Sequence, residues 1–148
     1  SAWVYATSTA TQMFLFHGLG CSNFSSWFLS IGGSENQNVP NKYAFGFNTA
    51  DNGGTMVMAR SVSNAFTGRW VHLVGTYDGS SVLSLYVDGT LVDSRSVSGN
   101  PYDNANRLYI GADSGCGRRF PAYKVDDVRV YGRELTASEA KALYNLGR

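Results

Sequence analysis

The sequence has no apolar run approaching the roughly 20 residues that cross a bilayer as a helix, so no membrane insertion is expected. It has no excess of either charge: 12 Lys and Arg stand against 11 Asp and Glu, a formal net charge of +1. That balance leaves no basic footprint for nucleic acid or an anionic membrane surface, and neither is an expected partner. Histidines are limited to His17 and His72, too remote from each other for a zinc signature, and no G-x-S-x-G stretch exists to make either part of a nucleophilic triad. His72 is therefore read as a packed strand residue with its hydrogen bonds satisfied. There is no repeat of 20 to 50 residues and no low-complexity tract.

Cysteine is almost as scarce. Cys21 (HGLGCSN) and Cys116 (DSGCGRR) lie in Gly-rich polar segments of loop character, which makes a disulfide between them the expected pairing, while spacing alone leaves two free thiols open.

What is abundant is strand material. Hydrophobic residues make up 43% and aromatics 14%, with 17 glycines and only three prolines, a composition suited to short strands joined by turns. At 148 residues the chain fits one domain, residues 1–148, with enough length to bury its own core. It opens on Ser1-Ala2-Trp3-Val4-Tyr5, a strand already under way, and is read as a fragment of a longer chain.

The organising stretch is WVHLVGTYDGSSVLSLYVDGTLV, residues 70–92. Residues 70–77 form a strand, 78–81 a polar turn, and 82–87 a returning strand. Asp88-Gly89 is then a two-residue type I′ turn, which needs φ > 0 at both positions. Elsewhere, strands are expected at 1–7, 27–31, 42–47, 55–60, 90–97, 108–111 and 125–131, with Tyr43, Phe45 and Phe47 on one face. Residues 17–25, 32–41, 48–54, 98–106 and 113–121 read as loops. Only the end is helical: Thr136 and Glu139 make a capping box, Leu135 and Ala140 sit where a hydrophobic staple would, and Gly147 can terminate the helix.

Five stretches in this order resemble one family. They are Ser1-Ala2-Trp3-Val4, WVHLVGTYDG (70–79), LSLYVDGTLV (83–92), LYIG (108–111) and VDDVRVYGRELTASE (125–139). Together they resemble the laminin-G-like jelly rolls of the concanavalin A-like lectin/glucanase superfamily. The resemblance implies an all-β fold, two antiparallel sheets in a jelly-roll sandwich with a short C-terminal α-helix, and ligands met on the concave face or its rim loops. It also implies that one or two N-terminal strands of the family are missing, leaving a sheet edge that another segment or chain can fill.

Catalysis is not expected. Glycoside cleavage needs two carboxylates about 5 to 10 Å apart, and no E-x-D-x-x-E arrangement occurs. Asp126 and Asp127 fall on opposite faces of a strand, so they cannot act as one dyad, and one of them is read as a structural acceptor for loop backbone or for Arg129 or Arg133. Glycan binding wants an aromatic platform with hydrogen-bonding groups at a rim. Trp27, Tyr102 and Tyr123 are the aromatic candidates, set against core packing as the alternative. Asn48, Asp51, Asn52, Asp103, Arg118 and Arg119 are the polar ones. The oxygen-rich segments 48–52 and 100–104 can also hold calcium, or serve simply as turn formers. Asn23-Phe24-Ser25 is a glycosylation sequon if the source is a secreted eukaryotic protein.

The resulting expectation is a non-catalytic carbohydrate-binding, lectin-like module of a secreted or cell-surface protein, with a glycan or polysaccharide as partner. The alternative is a structural or adhesive subunit that completes its sheet with a strand from another protein chain or domain.

Overall fold

Alternation of apolar and polar residues over short runs, punctuated by Gly, Asp and Asn, dictates paired strands. The pairing was followed in a computed structural model, which describes residues 1–19, 24–32, 41–49, 54–102, 105, 107–111 and 123–147, with backbone alone at 19, 24 and 25. Among the described residues the elements are β1 (Ala2–Ala6), β2 (Gln12–Leu19), β3 (Phe24–Ile31), β4 (Tyr43–Asn48), β5 (Met56–Arg60), β6 (Trp70–Tyr77), β7 (Val82–Val87), β8 (Thr90–Ser96), β9 (Leu108–Ile110), β10 (Tyr123–Asp126) and α1 (Ala137–Leu146). They form two five-stranded antiparallel sheets in the orders β10-β1-β6-β7-β8 and β5-β4-β3-β2-β9, a jelly-roll sandwich.

The turns follow their chemistry. Asp88 (φ 50°) and Gly89 (φ 72°) both occupy the left-handed region, as a type I′ hairpin between β7 and β8 requires. The Asp88 carboxylate reaches back to accept from the His72 N–H at 2.9 Å and pairs with Arg69 at 3.0 Å, tying the turn to the start of β6. At the β6–β7 turn, one Asp78 oxygen accepts from the N–H groups of Ser80, Ser81 and Val82 at 2.7 to 3.0 Å. Those donors hold the Asp78 carboxyl far below the usual carboxylate range.

The sheets meet on a core that includes Val4, Phe14, Leu29, Ile31, Tyr43, Phe47, Val71, Leu73, Leu83 and Leu85, all at 2% exposure or less. β6 is buried on its other face too, because α1 lies across it: Val74, Tyr86, Leu135 and Ala140 form a second cluster. Trp3 stacks on Tyr144 with centroids 5.7 Å apart, and His72 sits beside both rings. The capping box is complete, with Thr136 accepting from Glu139 N and Glu139 accepting from Thr136 N. A third cluster of Met13, Phe16, Phe28, Ala44 and Met58 occupies the outer face of the second sheet.

Three expectations need correction. The loop expected over residues 17–25 is mostly strand where described: β2 runs on through His17 to Leu19, and β3 starts at Phe24. A register shift between His17 and Gly18, with Gly18 at φ 150°, lets the polar, Gly-containing sequence stay paired. The strand expected over 125–131 ends at Asp126, because Asp127 takes φ 47° and reverses the alternation beyond it. Val125 and Val128 consequently both pack on the core. Finally, His72 is packed as expected but not satisfied: among the described residues its Nδ1 has no hydrogen-bond partner.

Candidate functional site

Strand ends deliver side chains to the loops they support, and one end of the sandwich gathers four such ends. Trp27 stands opposite His17 and Phe47 in the ladder, so its ring faces the space between the sheets. It stacks on His17 with centroids 5.9 Å apart and planes at 13°, and it is only partly buried. Phe47 meets Tyr77 edge-to-face at 4.9 Å. The Tyr77 hydroxyl lies 3.1 Å from the Gly99 carbonyl and 3.0 Å from the Asn100 side-chain oxygen, and it anchors the loop after β8.

That loop is held from the opposite sheet as well. The Tyr102 N–H donates to the Asn48 carbonyl at 2.7 Å, and the Ser26 hydroxyl donates to the Tyr102 carbonyl. Asn48 is itself 2% exposed. Trp27, Asn48 and Tyr102, picked separately from sequence, thus share one rim. Beside them opens a cleft of about 490 Å³, floored by Leu15, Leu29, Phe45 and Phe47 and walled by Trp27, Tyr77 and Pro101. Asp78 and Gly79 form its lip, while Ser1 and the segment 130–135 close its far side. Chemically the rim offers aromatic side chains, hydrogen-bonded backbone and, in Asp78, a carboxylate whose pKa is held below the usual range by backbone N–H donors.

Tyr123 lies elsewhere. Its hydroxyl donates to the Met13 carbonyl at 2.6 Å, its ring packs edge-to-face on Phe14, and burial pushes its pKa up to about 12. Asp51, Asn52, Asp103, Arg118, Arg119, the sequon Asn23 and both cysteines, Cys21 and Cys116, lie outside the described residues. So does much of the two oxygen-rich segments considered for calcium, and among the described residues no group of three or more His, Cys, Asp or Glu side chains comes together.

Most carboxylates that are described already have local work. Asp88 and Asp78 hold turns, Asp93 accepts from Arg60 N and pairs with Arg95, Asp127 pairs with Arg129, and Asp126 accepts from Asp127 N. Glu139 caps α1 and binds Arg133, which keeps its pKa near 2, with the arginine the largest cause. Sequence reasoning passed over Tyr77 and Ser26, and named Asn100 only within the segment considered for calcium. The available signal was position: Tyr77 is the last inward-facing residue of β6, immediately before a turn.

A family model described as the concanavalin A-like lectin/glucanases superfamily matches residues 1–141. No curated protein matches the sequence. Among solved structures, the heptameric SAP-like pentraxin from Limulus polyphemus superposes with a TM-score of 0.67 at 14% identity, covering 97% of this chain and 67% of that one. Domain 4 of a GH43 extracellular arabinanase from Geobacillus stearothermophilus, solved with arabinotriose, gives 0.65 at 20% identity over 97% of this chain and 64% of that one. The binding domain of botulinum neurotoxin DC, solved with SialylT, gives 0.61 at 12% identity over 99% and 34%. The chain therefore spans from about a third to two thirds of the length of these solved chains.

Proposed function

We propose, on the premise that this chain belongs to the concanavalin A-like lectin/glucanases superfamily, that it is a carbohydrate-binding module without catalytic activity. The observation that carries the reading is the rim where Trp27, Asn48 and Tyr102 converge beside the cleft. A sugar presents an apolar C–H face and a girdle of hydroxyls. Trp27 answers the first, and the loop backbone with Asp78 answers the second. Two structures with this fold, an arabinanase domain solved with arabinotriose and a toxin binding domain solved with SialylT, support the class of ligand. Engagement of Asp78, Asp88, Asp93, Asp126, Asp127 and Glu139 in turns, caps and ion pairs leaves them poorly placed as an acid–nucleophile dyad, which supports binding without cleavage.

The same reading takes the protein to be extracellular, with Asp51, Asn52, Asp103, Arg118 and Arg119 as further polar contacts to the glycan and calcium as a cation the oxygen-rich segments 48–52 and 100–104 can hold. It also pairs Cys21 with Cys116. No helix among the described residues is long and apolar enough to cross a membrane. A glycan array tests the proposal: binding to at least one glycan, without release of reducing ends, is expected, and no binding to any glycan overturns it. A second reading, a protein-interaction module completed by a neighbouring strand, is favoured by one observation: among the described residues, Gly75 to Tyr77 pair with β7 and with no strand on the β1 side.

A further inference from the structure

One row of side chains crosses the second sheet at the Trp27 rim. The ladder sets Leu108 opposite His17, His17 opposite Trp27 and Trp27 opposite Phe47, so four strands deliver four side chains to one face. Just beyond this row the β2–β3 register slips: Gly18 stands opposite Ser25, which leaves Ser26 as the extra residue of a bulge. The Ser26 hydroxyl is the one that holds the Tyr102 carbonyl. Bulges re-aim the side chains beside them, and here the last regular pair before the bulge is His17 with Trp27.

His17 is half-buried, and its ring lies nearly parallel to Trp27 at a centroid distance of 5.9 Å. Rings that far apart are offset, so each covers only part of the other. Among the described residues neither imidazole nitrogen makes a hydrogen bond, and of the two only Nδ1 is buried without a partner. A proton on Nδ1 would strand an N–H donor away from water, whereas a proton on Nε2 can be given to water or to a ligand. The tautomer protonated at Nε2 is therefore favoured. It sets an unspent donor beside an aromatic face.

We infer that His17 is the specificity-determining donor of the Trp27 platform, its Nε2–H donating to one hydroxyl oxygen of a sugar residue laid against Trp27. The inference rests on the carbohydrate reading above and names the side chain that selects among sugars. Trp27 answers a C–H face that many sugars share, whereas one directed donor distinguishes the presence and position of a hydroxyl. A phenyl ring at position 17 keeps the stacking on Trp27 and removes an unsatisfied buried nitrogen from the sheet. Binding is then weakened while folding is not, because exchanging an unpaired polar group for an apolar one of the same shape is neutral or stabilising. An imidazole that serves only the packing of the sheet gives no such split.

The test titrates the parent and His17→Phe with the best glycan from an array and with its monodeoxy analogues, and melts both proteins. His17→Phe is expected to bind about three- to tenfold more weakly than the parent and to melt no lower. One monodeoxy analogue is expected to lose the same factor on the parent and to bind both proteins alike, which closes a cycle between the imidazole and that hydroxyl. His17→Gln keeps a side-chain N–H without the ring; it is expected to stay sensitive to the same hydroxyl, and it carries the test if His17→Phe does not fold. Nitrogen-15 NMR of the imidazole reads the tautomer with no glycan present, and a proton on Nδ1 overturns the inference. So does a parent that binds glycan while His17→Phe binds it equally well or responds to every deoxygenation as the parent does, a result that leaves the carbohydrate reading standing. A parent that binds no glycan overturns that reading and this inference together.

Discussion

Replacing His72 with Phe removes the one imidazole buried beneath α1 and should flatten the acid side of the stability profile. His72 is 2% exposed, between Trp3 and Tyr144. Its pKa is lowered from 6.5 to about 4, first by burial and then by the nearby Ser1 ammonium, against smaller opposing effects of Asp88 and Asp127. Above pH 6.5 the ring is neutral folded and unfolded. As pH falls below 6.5 the unfolded chain takes up a proton that the folded ring refuses until about pH 4, so stability declines through that window and levels off beneath it. Among the described residues, the other groups with shifted acid-range or near-neutral pKa values, Ser1, Glu139 and Asp78, act outside its middle. The Ser1 amine, lowered from 8.0 to about 6 by burial, acts above pH 6, and Glu139, lowered from 4.5 to about 2, acts below 4.5. Between pH 6 and 4.5 the His72 contribution lost is at most about 2 kcal/mol, or about 4 to 8 °C in Tm. Calorimetric melts across that interval should show the drop in the parent and its absence in His72→Phe. A parent profile that is flat there, or a variant with the parent's slope, refutes the reasoning.

Other consequences are as direct. Gly75→Ala drives a methyl into the Phe45 ring, and urea melts should show a loss of about 1 to 3 kcal/mol. Thr136→Ala removes the N-cap of α1 and should cost about 1 kcal/mol, read as a lower Tm with Trp3 fluorescence shifted as the helix loosens over it. If Cys21 and Cys116 are joined as proposed, alkylation of the unreduced, denatured protein labels neither, and two labels per chain contradict the pairing.

How much of this was legible in the sequence depended on whether a feature is local. The strands over residues 70–77 and 82–87 and the Asp88-Gly89 turn are written in period-two alternation and in residues that tolerate φ > 0, and each stands where expected. The Thr136–Glu139 box was readable for the same reason. Asp127 was not: nothing in VDDVRVY marks one aspartate as left-handed, so the strand was drawn too long and its faces were exchanged beyond that point. Nor was the closeness of Ser26, Asn48, Tyr77 and Tyr102, because it arises from pairing across two sheets between residues far apart in the chain. Tyr123 shows the converse, an aromatic beside polar sequence whose hydroxyl is spent on the Met13 carbonyl.

The central claim is carbohydrate binding at the Trp27 rim. The most direct measurement is calorimetric titration of the best glycan from an array into the parent, Trp27→Ala and Tyr102→Ala, with circular dichroism confirming that each is folded. The account predicts saturable binding by the parent and at least about tenfold weaker binding by Trp27→Ala, a loss of about 1.4 kcal/mol. Tyr102→Ala should lose less, since its backbone holds the rim and survives the change. A folded parent that binds no glycan, or a Trp27→Ala variant that binds as the parent does, contradicts it.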